Sequence, residues 1–154
     1  MFNILENIIE FKKREIFELK KNYSVSDFNV TSSEIEKPRG FINKLLFAEK
    51  NGFGLIAEIK KSSPSKGIIR KNFLPEKIAS DYKESGASCL SVLTDSKFFG
   101  GNNEYLKKVK SIVDLPILRK DFLIDEIQLY ESRYIGADCI LLIVACLDDE
   151  KLKD

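Results

Sequence analysis

Four apolar runs, each parted from the next by a stretch of helical periodicity, constrain this chain more than any other feature. The runs are LIAEI (55–59), CLSVL (89–93), PILRK (116–120) and CILLIVA (139–145). Between them lie PEKIASDYKES (75–85), NNEYLKKVKSIV (102–113) and DEIQLYESRYI (125–135), with Pro75 suited to an early helical position and Gly86 and Gly136 to helix ends. Apolar strands alternating with helices predict βαβ units with right-handed crossovers and a parallel sheet. Two architectures fit, a doubly wound sheet and a (β/α)8 barrel. No GxGxxG follows the first run, which argues against a dinucleotide-binding sheet. The charges favour the barrel. Glu58 and Lys60 stand at the end of the first run, Thr94 and Asp95 follow the second, and Lys120 ends the third. Polar groups gathered at the C-terminal ends of several strands are the pattern of a barrel's active face.

Upstream, Ile4, Leu5, Ile8, Ile9, Ile16 and Leu19 predict an amphipathic helix over 3–21. Residues 24–40 read as a polar connection, and FINKLLFAEKNG, from 41, as a short helix stopped by Asn51-Gly52. DDEKLKD, at the end, reads as the start of another helix. The division expected is a helical extension over 1–50 and a barrel portion over 51–154. With 44% hydrophobic and 32% charged residues the composition is that of a globular domain, not a disordered chain. A net charge of +1 supplies no global attraction to nucleic acid or to a membrane surface, and neither is an expected partner. The longest apolar run, 139–147, is too short to span a bilayer, and Glu6 and Glu10 interrupt the first residues in a way a signal peptide does not. Cys89, Cys139 and Cys146 form no CxxC pair and read as reduced thiols of a cytoplasmic protein. The chain has no histidine, so acid–base chemistry near neutral pH falls to carboxylates, lysines or tyrosines, and no zinc site is expected.

The blocks IAEIKKSSPSKG, SVLTDSKFFGG, LPILRKDF and GADCILLIVA, in that order, resemble the indole-3-glycerol phosphate synthase family of tryptophan biosynthesis. The resemblance runs through most of the chain and includes the N-terminal helix. It implies a (β/α)8 TIM barrel with an N-terminal helical extension, needing neither cofactor nor metal. The implied reaction is that of a carboxy-lyase. A phosphorylated, anthranilate-derived substrate, 1-(2-carboxyphenylamino)-1-deoxyribulose 5-phosphate, becomes indole-3-glycerol phosphate by ring closure, decarboxylation and dehydration. By resemblance Lys120 is the general acid of ring closure, while Glu58 and Lys60 belong to the same catalytic cluster, in positioning and in proton transfer during dehydration. Ser63 and Pro64 shape the loop beside the substrate, and Phe99, Phe122 and one of Leu141 or Leu142 wall its aromatic part. Strand residues two apart share a face, so Glu58 and Lys60 are expected to point together into the barrel mouth, where Glu58 offsets part of the repulsion between Lys60 and Lys120.

Each residue also has a plainer reading: an ion pair on an edge strand, a charge pair at a helix entry, loop-anchoring aromatics, an ordinary Ser/Gly/Lys loop. All four blocks occurring in order on successive strand ends favour the functional one. A barrel of this kind takes eight strands and about 250 residues, and four strands are present. The resemblance assigns a second glutamate, an asparagine and the phosphate-binding loops to the other half. The 154 residues alone are therefore expected to be inactive and to self-associate through open sheet edges. Two other readings stand beside this one: another phosphate-handling barrel such as phosphoribosylanthranilate isomerase, which leaves the Glu58/Lys60 and LRKDF blocks unexplained, and a non-catalytic half-barrel.

Overall fold

A computed structural model describes residues 4–28 and 35–153. The middle of the polar connection, 29–34, lies outside the described residues, as do residues 1–3 and Asp154. Four strands, β1 (Ile56–Ile59), β4 (Cys89–Leu93), β5 (Ile117–Lys120) and β6 (Cys139–Ile140), form one parallel sheet in the order of the chain. Two further strands, β2 (Ser62–Ser63) and β3 (Gly67–Ile68), pair antiparallel as a small hairpin. Helices α3 (Pro75–Glu84), α5 (Asn103–Ile112) and α6 (Ile127–Tyr134) make the crossovers.

The crossover helices cover one face of the sheet. Ala57, Ile59, Leu90, Val92 and Ile117 pack with Ile78 and Ala79 of α3 and with Leu106 and Val109 of α5 in a single buried cluster. On the same face Arg119 bonds to Gln128 and Ser132 of α6. A doubly wound sheet carries helices on both faces; sequential strand order with helices on one face is half of a (β/α)8 barrel.

Two helices precede the sheet. α1 (Ile4–Asn22) lays Ile8, Lys12 and Ile16, spaced by four, against the rest of the molecule. Ile16 joins Phe28, Ile124 and Ile127 in a second core cluster. α2 (Phe41–Lys50) buries Phe41, whose carbonyl accepts the Cys89 thiol at 3.7 Å. Arg39, just before it, caps α5 from outside: its guanidinium donates to the carbonyls of Lys110, Val113 and Leu115, and its backbone N–H reaches Asp138 at 2.7 Å. Asp138 also accepts from the Ile117 N–H (2.8 Å) and from Lys110 (2.6 Å). The GAD block thus ties α5, β5 and the residues before α2 together below the sheet.

Three expectations need correction. CILLIVA is not a strand over 139–145, because β6 ends at Ile140 and Val144–Cys146 form a 3-10 turn. The register sets Lys120, the last residue of β5, opposite Leu141, so that strand offers no partner from 142 on, and Cys146 and Leu147 pack instead against the Ile16–Phe28–Ile124–Ile127 cluster. α6 starts at Ile127 rather than 125, because the Gln128 side chain captures the N–H groups of Ile124 and Asp125 and Asp125 accepts from the Ile127 N–H. Residues 149–153 form turns, not a helix.

Candidate active site

Register sets which side chains share the uncovered face. Glu58 stands opposite Ser91, Ser91 opposite Leu118, and Leu118 opposite Cys139. One step toward the C-terminal edge, Leu93 stands opposite Lys120. Lys60 continues the β1 row beside Leu93, and Leu141 continues the row past β6. Residues paired across a sheet point to the same side, so Glu58, Lys60 and Lys120 project from one face at the C-terminal edge. Two strand spacings separate β1 from β5, about 10 Å, which is room for a substrate between the two lysines.

Glu58 and Lys60 form an ion pair of 2.6 Å. Both side chains are about a third exposed (36% and 32%), so the pair is open at the top of the strand and not sealed in the core. The Glu58 backbone carbonyl accepts from the Tyr82 hydroxyl of α3 at 3.3 Å, which steadies the strand beneath the pair. Lys120 is half-buried, and its carbonyl accepts the Thr94 N–H across the β4–β5 gap at 3.1 Å.

The aromatic residues come from two loops. α4 (Ser96–Phe99) is a single turn capped by Asp95, whose side chain accepts from the N–H groups of Phe98 (2.8 Å) and Phe99 (3.2 Å). Phe99 is half-buried and its ring lies 6.1 Å from that of Phe122, tilted by 35°. Ser63 belongs to β2, where its hydroxyl accepts the Lys66 N–H (3.3 Å); Pro64, at the hairpin tip, is exposed. The hairpin and the next loop lie in contact. A Cβ on Gly101 would fall 2.5 Å from the Leu93 carbonyl, which requires glycine there, and Gly100, whose Cβ would fall 2.8 Å from the Ser62 hydroxyl, has the left-handed φ of 61° that favours glycine. Leu141 and Leu142 are exposed (37% and 40%) and make no wall with the two phenylalanines in this arrangement.

Behind the strand ends runs a buried polar network that takes in Thr94 and Asp95, which were expected at the active face, because Thr94 shares the helix side of the sheet with Arg119 and Asp95 turns toward Lys12. Lys12 of α1, 4% exposed, reaches Asp121 at 2.9 Å, Asp95 at 3.2 Å and Glu15 at 2.5 Å. Asp121 also accepts from the Thr94 hydroxyl (2.6 Å) and the Phe122 N–H (2.8 Å). Arg119, also 4% exposed, bonds Thr94 (3.0 Å), Ser132 (3.0 Å) and Glu131 (2.8 Å). Burial by itself would push the Lys12 ammonium down; Asp121, Glu15 and Asp95 outweigh it and hold the group above its ordinary value. Burial likewise pushes the Asp121 carboxyl up, yet Lys12, Arg119 and Thr94 hold it below the usual carboxylate range. The fully buried Asp95 Oδ2 has the Lys12 charge beside it but no aligned hydrogen bond. A cavity of about 270 Å³ adjoins the network, lined by Lys12, Thr94, Arg119, Asp121, Gln128 and Glu131. It lies on the helix side of the sheet, away from Glu58, Lys60 and Lys120. Two signals could have found the network: a lysine at the centre of the 8–12–16 stripe of α1, and Arg119 next to Lys120, since adjacent strand residues face opposite ways.

No helix of the described residues is long and apolar enough to cross a membrane. Comparison with known proteins agrees with the geometry. The family described as "Indole-3-glycerol phosphate synthase" matches residues 5–154. A curated relative, the indole-3-glycerol phosphate synthase of Chlorobium chlorochromatii, is 47% identical over 150 residues, which are 97% of this chain and 58% of the relative. The chain therefore spans somewhat more than half the length of that relative. On its matched sequence and its parallel half-barrel, the chain belongs to the indole-3-glycerol phosphate synthase family.

Proposed function

We propose that residues 1–154 supply the first half of a cytoplasmic indole-3-glycerol phosphate synthase, with 1–50 as helical extension and 51–154 as the first four βα units. The substrate is the carboxyphenylamino-deoxyribulose 5-phosphate that the family resemblance implies. What supports the reading is the sheet register, which aligns Glu58, Lys60 and Lys120 on the uncovered face at one edge.

In this reading the aromatic carbon bearing the carboxylate attacks the ketone carbon of the sugar chain. Lys120 donates a proton to the ketone oxygen as it becomes a hydroxyl, so the new carbon–carbon bond forms without a free alkoxide. Loss of carbon dioxide returns its bonding electrons to the ring and restores aromaticity. The new hydroxyl then leaves as water, with Lys60 giving the proton that departs with it and Glu58 receiving one from the ring that becomes the pyrrole. A carboxylate 2.6 Å from an ammonium suits paired giving and taking of protons. Phe99 and Phe122 face the benzoate ring of the substrate, and the hairpin carrying Ser63 and Pro64 borders its entrance. Leu141 or Leu142 reaches that pocket once the chain beyond Ile140 runs on as a strand beside a further neighbour.

The test is assembly of an enzyme. The chain is mixed with the C-terminal part of the Chlorobium chlorochromatii relative that it does not match, and formation of indole-3-glycerol phosphate is followed by fluorescence. Turnover by the mixture that vanishes with Glu58→Gln, Lys60→Met or Lys120→Met supports the reading. A folded mixture without product, or one that keeps its rate in all three variants, overturns it. Conversion of a phosphoribosyl anthranilate instead would favour the isomerase.

A further inference from the structure

The geometry points to Lys12 as a positioning residue: its ammonium, held between Asp121 and Asp95, fixes the strand end that carries Lys120 and the turn that carries Phe99. The inference rests on the roles proposed above for those two residues. Lys12 touches neither. It belongs to α1, outside the sheet, and acts through the carboxylates that follow two neighbouring strands.

The chain of contacts is short. Asp121 is the residue after Lys120, and its Oδ1 holds both Lys12 (2.9 Å) and its neighbour's N–H, that of Phe122 (2.8 Å). A side chain that accepts the next residue's N–H fixes the turn by which the chain leaves β5, and so the direction in which Lys120 departs. Asp95 does the same on β4. Its Oδ1 accepts the N–H groups of Phe98 and Phe99, while Oδ2 faces Lys12 at 3.2 Å with no aligned hydrogen bond of its own. Without the ammonium, two carboxylates under 4% exposed would face each other across the space it fills. Like charges buried together are strongly unfavourable, so the two loops would part or one carboxyl would take up a proton. Either response moves the Phe99 turn or the Lys120 strand end. Thr94 and Arg119 hold Asp121 from the sheet side only; α1 supplies the opposing contact.

A residue that merely stabilises the fold would weaken all of it together. The experiment separates the two cases by native-state amide exchange on the chain carrying Lys12→Met. The Phe98 and Phe122 amides, both held by the carboxylates in question, should exchange at least about 10-fold faster, while Leu106 and Val109 of α5 stay within about 3-fold of the parent. Uniform acceleration, or none, overturns the inference. In the assembled enzyme kcat should fall about 10- to 100-fold with KM changed only a few-fold, since a catalytic acid displaced by about an ångström loses rate before affinity. An unchanged kcat overturns it as well. Should the assembled parent form no indole-3-glycerol phosphate, the proposed function fails by itself, and the exchange measurement still decides the role of Lys12. If Lys12→Met does not fold, Lys12→Gln replaces it, its amide still able to donate to Asp121. If neither folds, Lys12 is a determinant of the whole fold and the positioning role is overturned.

Discussion

Lys120 and Cys89 illustrate how one strand position fixes what a side chain can do. Lys120 ends β5, half-buried, on the face opposite to that of its neighbour Arg119. In the assembled enzyme Lys120→Ala should cut kcat by about 10²- to 10⁴-fold, as loss of a positioned acid does. Lys120→Arg should not restore it, because a guanidinium scarcely releases its proton; a normal rate in either variant removes Lys120 from the chemistry. Cys89, at the other end of the sheet, is fully buried, and burial pushes its thiol up to about 11. A thiol whose folded value lies above its unfolded one stabilises the protein below the unfolded value, and that stability is lost as pH rises. Urea midpoints should therefore fall between about pH 9 and 11, and Cys89→Ala should flatten that slope whatever it costs at pH 7. An unaltered slope would show that other groups cause the alkaline loss.

At the scale of elements, the turn after β4 depends on backbone contact and α5 on a side-chain cap. Asn102 accepts the Glu104 N–H at 2.8 Å, and Asn102→Ala should cost about 1 kcal/mol, the ordinary loss of an N-cap. Gly101→Ala should cost clearly more, since its Cβ would meet the Leu93 carbonyl at 2.5 Å and must push the loop off the strand. Denaturation of the two variants side by side checks the order; equal losses would mean that the loop yields freely. The elements themselves were largely legible. Apolar runs bounded by helices gave β1, β4 and β5 within a residue or so, because burial on the helix side imposes that pattern. The hairpin of β2 and β3 was not legible, since KKSSPSKG is polar throughout and its pairing follows from the Ile69 and Arg70 N–H groups returning to the Lys61 carbonyl. Nor was the short β6, because seven apolar residues read as a strand whether or not a neighbour exists to pair with them. Of the site, the faces of Glu58 and Lys60 followed from alternation alone. The stripe of α1 marks Lys12 as buried but not what it meets, because Asp95 and Asp121 lie far along the chain.

For the whole molecule the decisive fact is a sheet with two open sides. Among the described residues β1 pairs only with β4 and β6 only with β5. Apolar side chains stand exposed nearby: Phe53 (98%), Leu55 and Ile56 before or in β1, Ile42, Leu46 and Phe47 on α2, and Val144 past β6. Unpaired edges beside apolar surface favour association. Sedimentation of the chain alone should show species larger than a monomer, and the C-terminal part of a family member should convert them to a single one-to-one complex. A monodisperse monomer over a wide concentration range would show that these surfaces are covered from within.

The order of the strands also has a bearing on how the molecule comes to be made. Because each strand pairs with the one before it, a chain emerging from a ribosome at about 5–20 residues per second can add one βα unit at a time, each docking on a finished neighbour. α1, which precedes every strand of the sheet, follows a different schedule. Apart from Glu15 on the same helix, its buried lysine has no partners until Asp95 and then Asp121 have been synthesised. A helix made before the sheet is thus locked in place only after it, and its docking reports that three strands of the sheet are already complete.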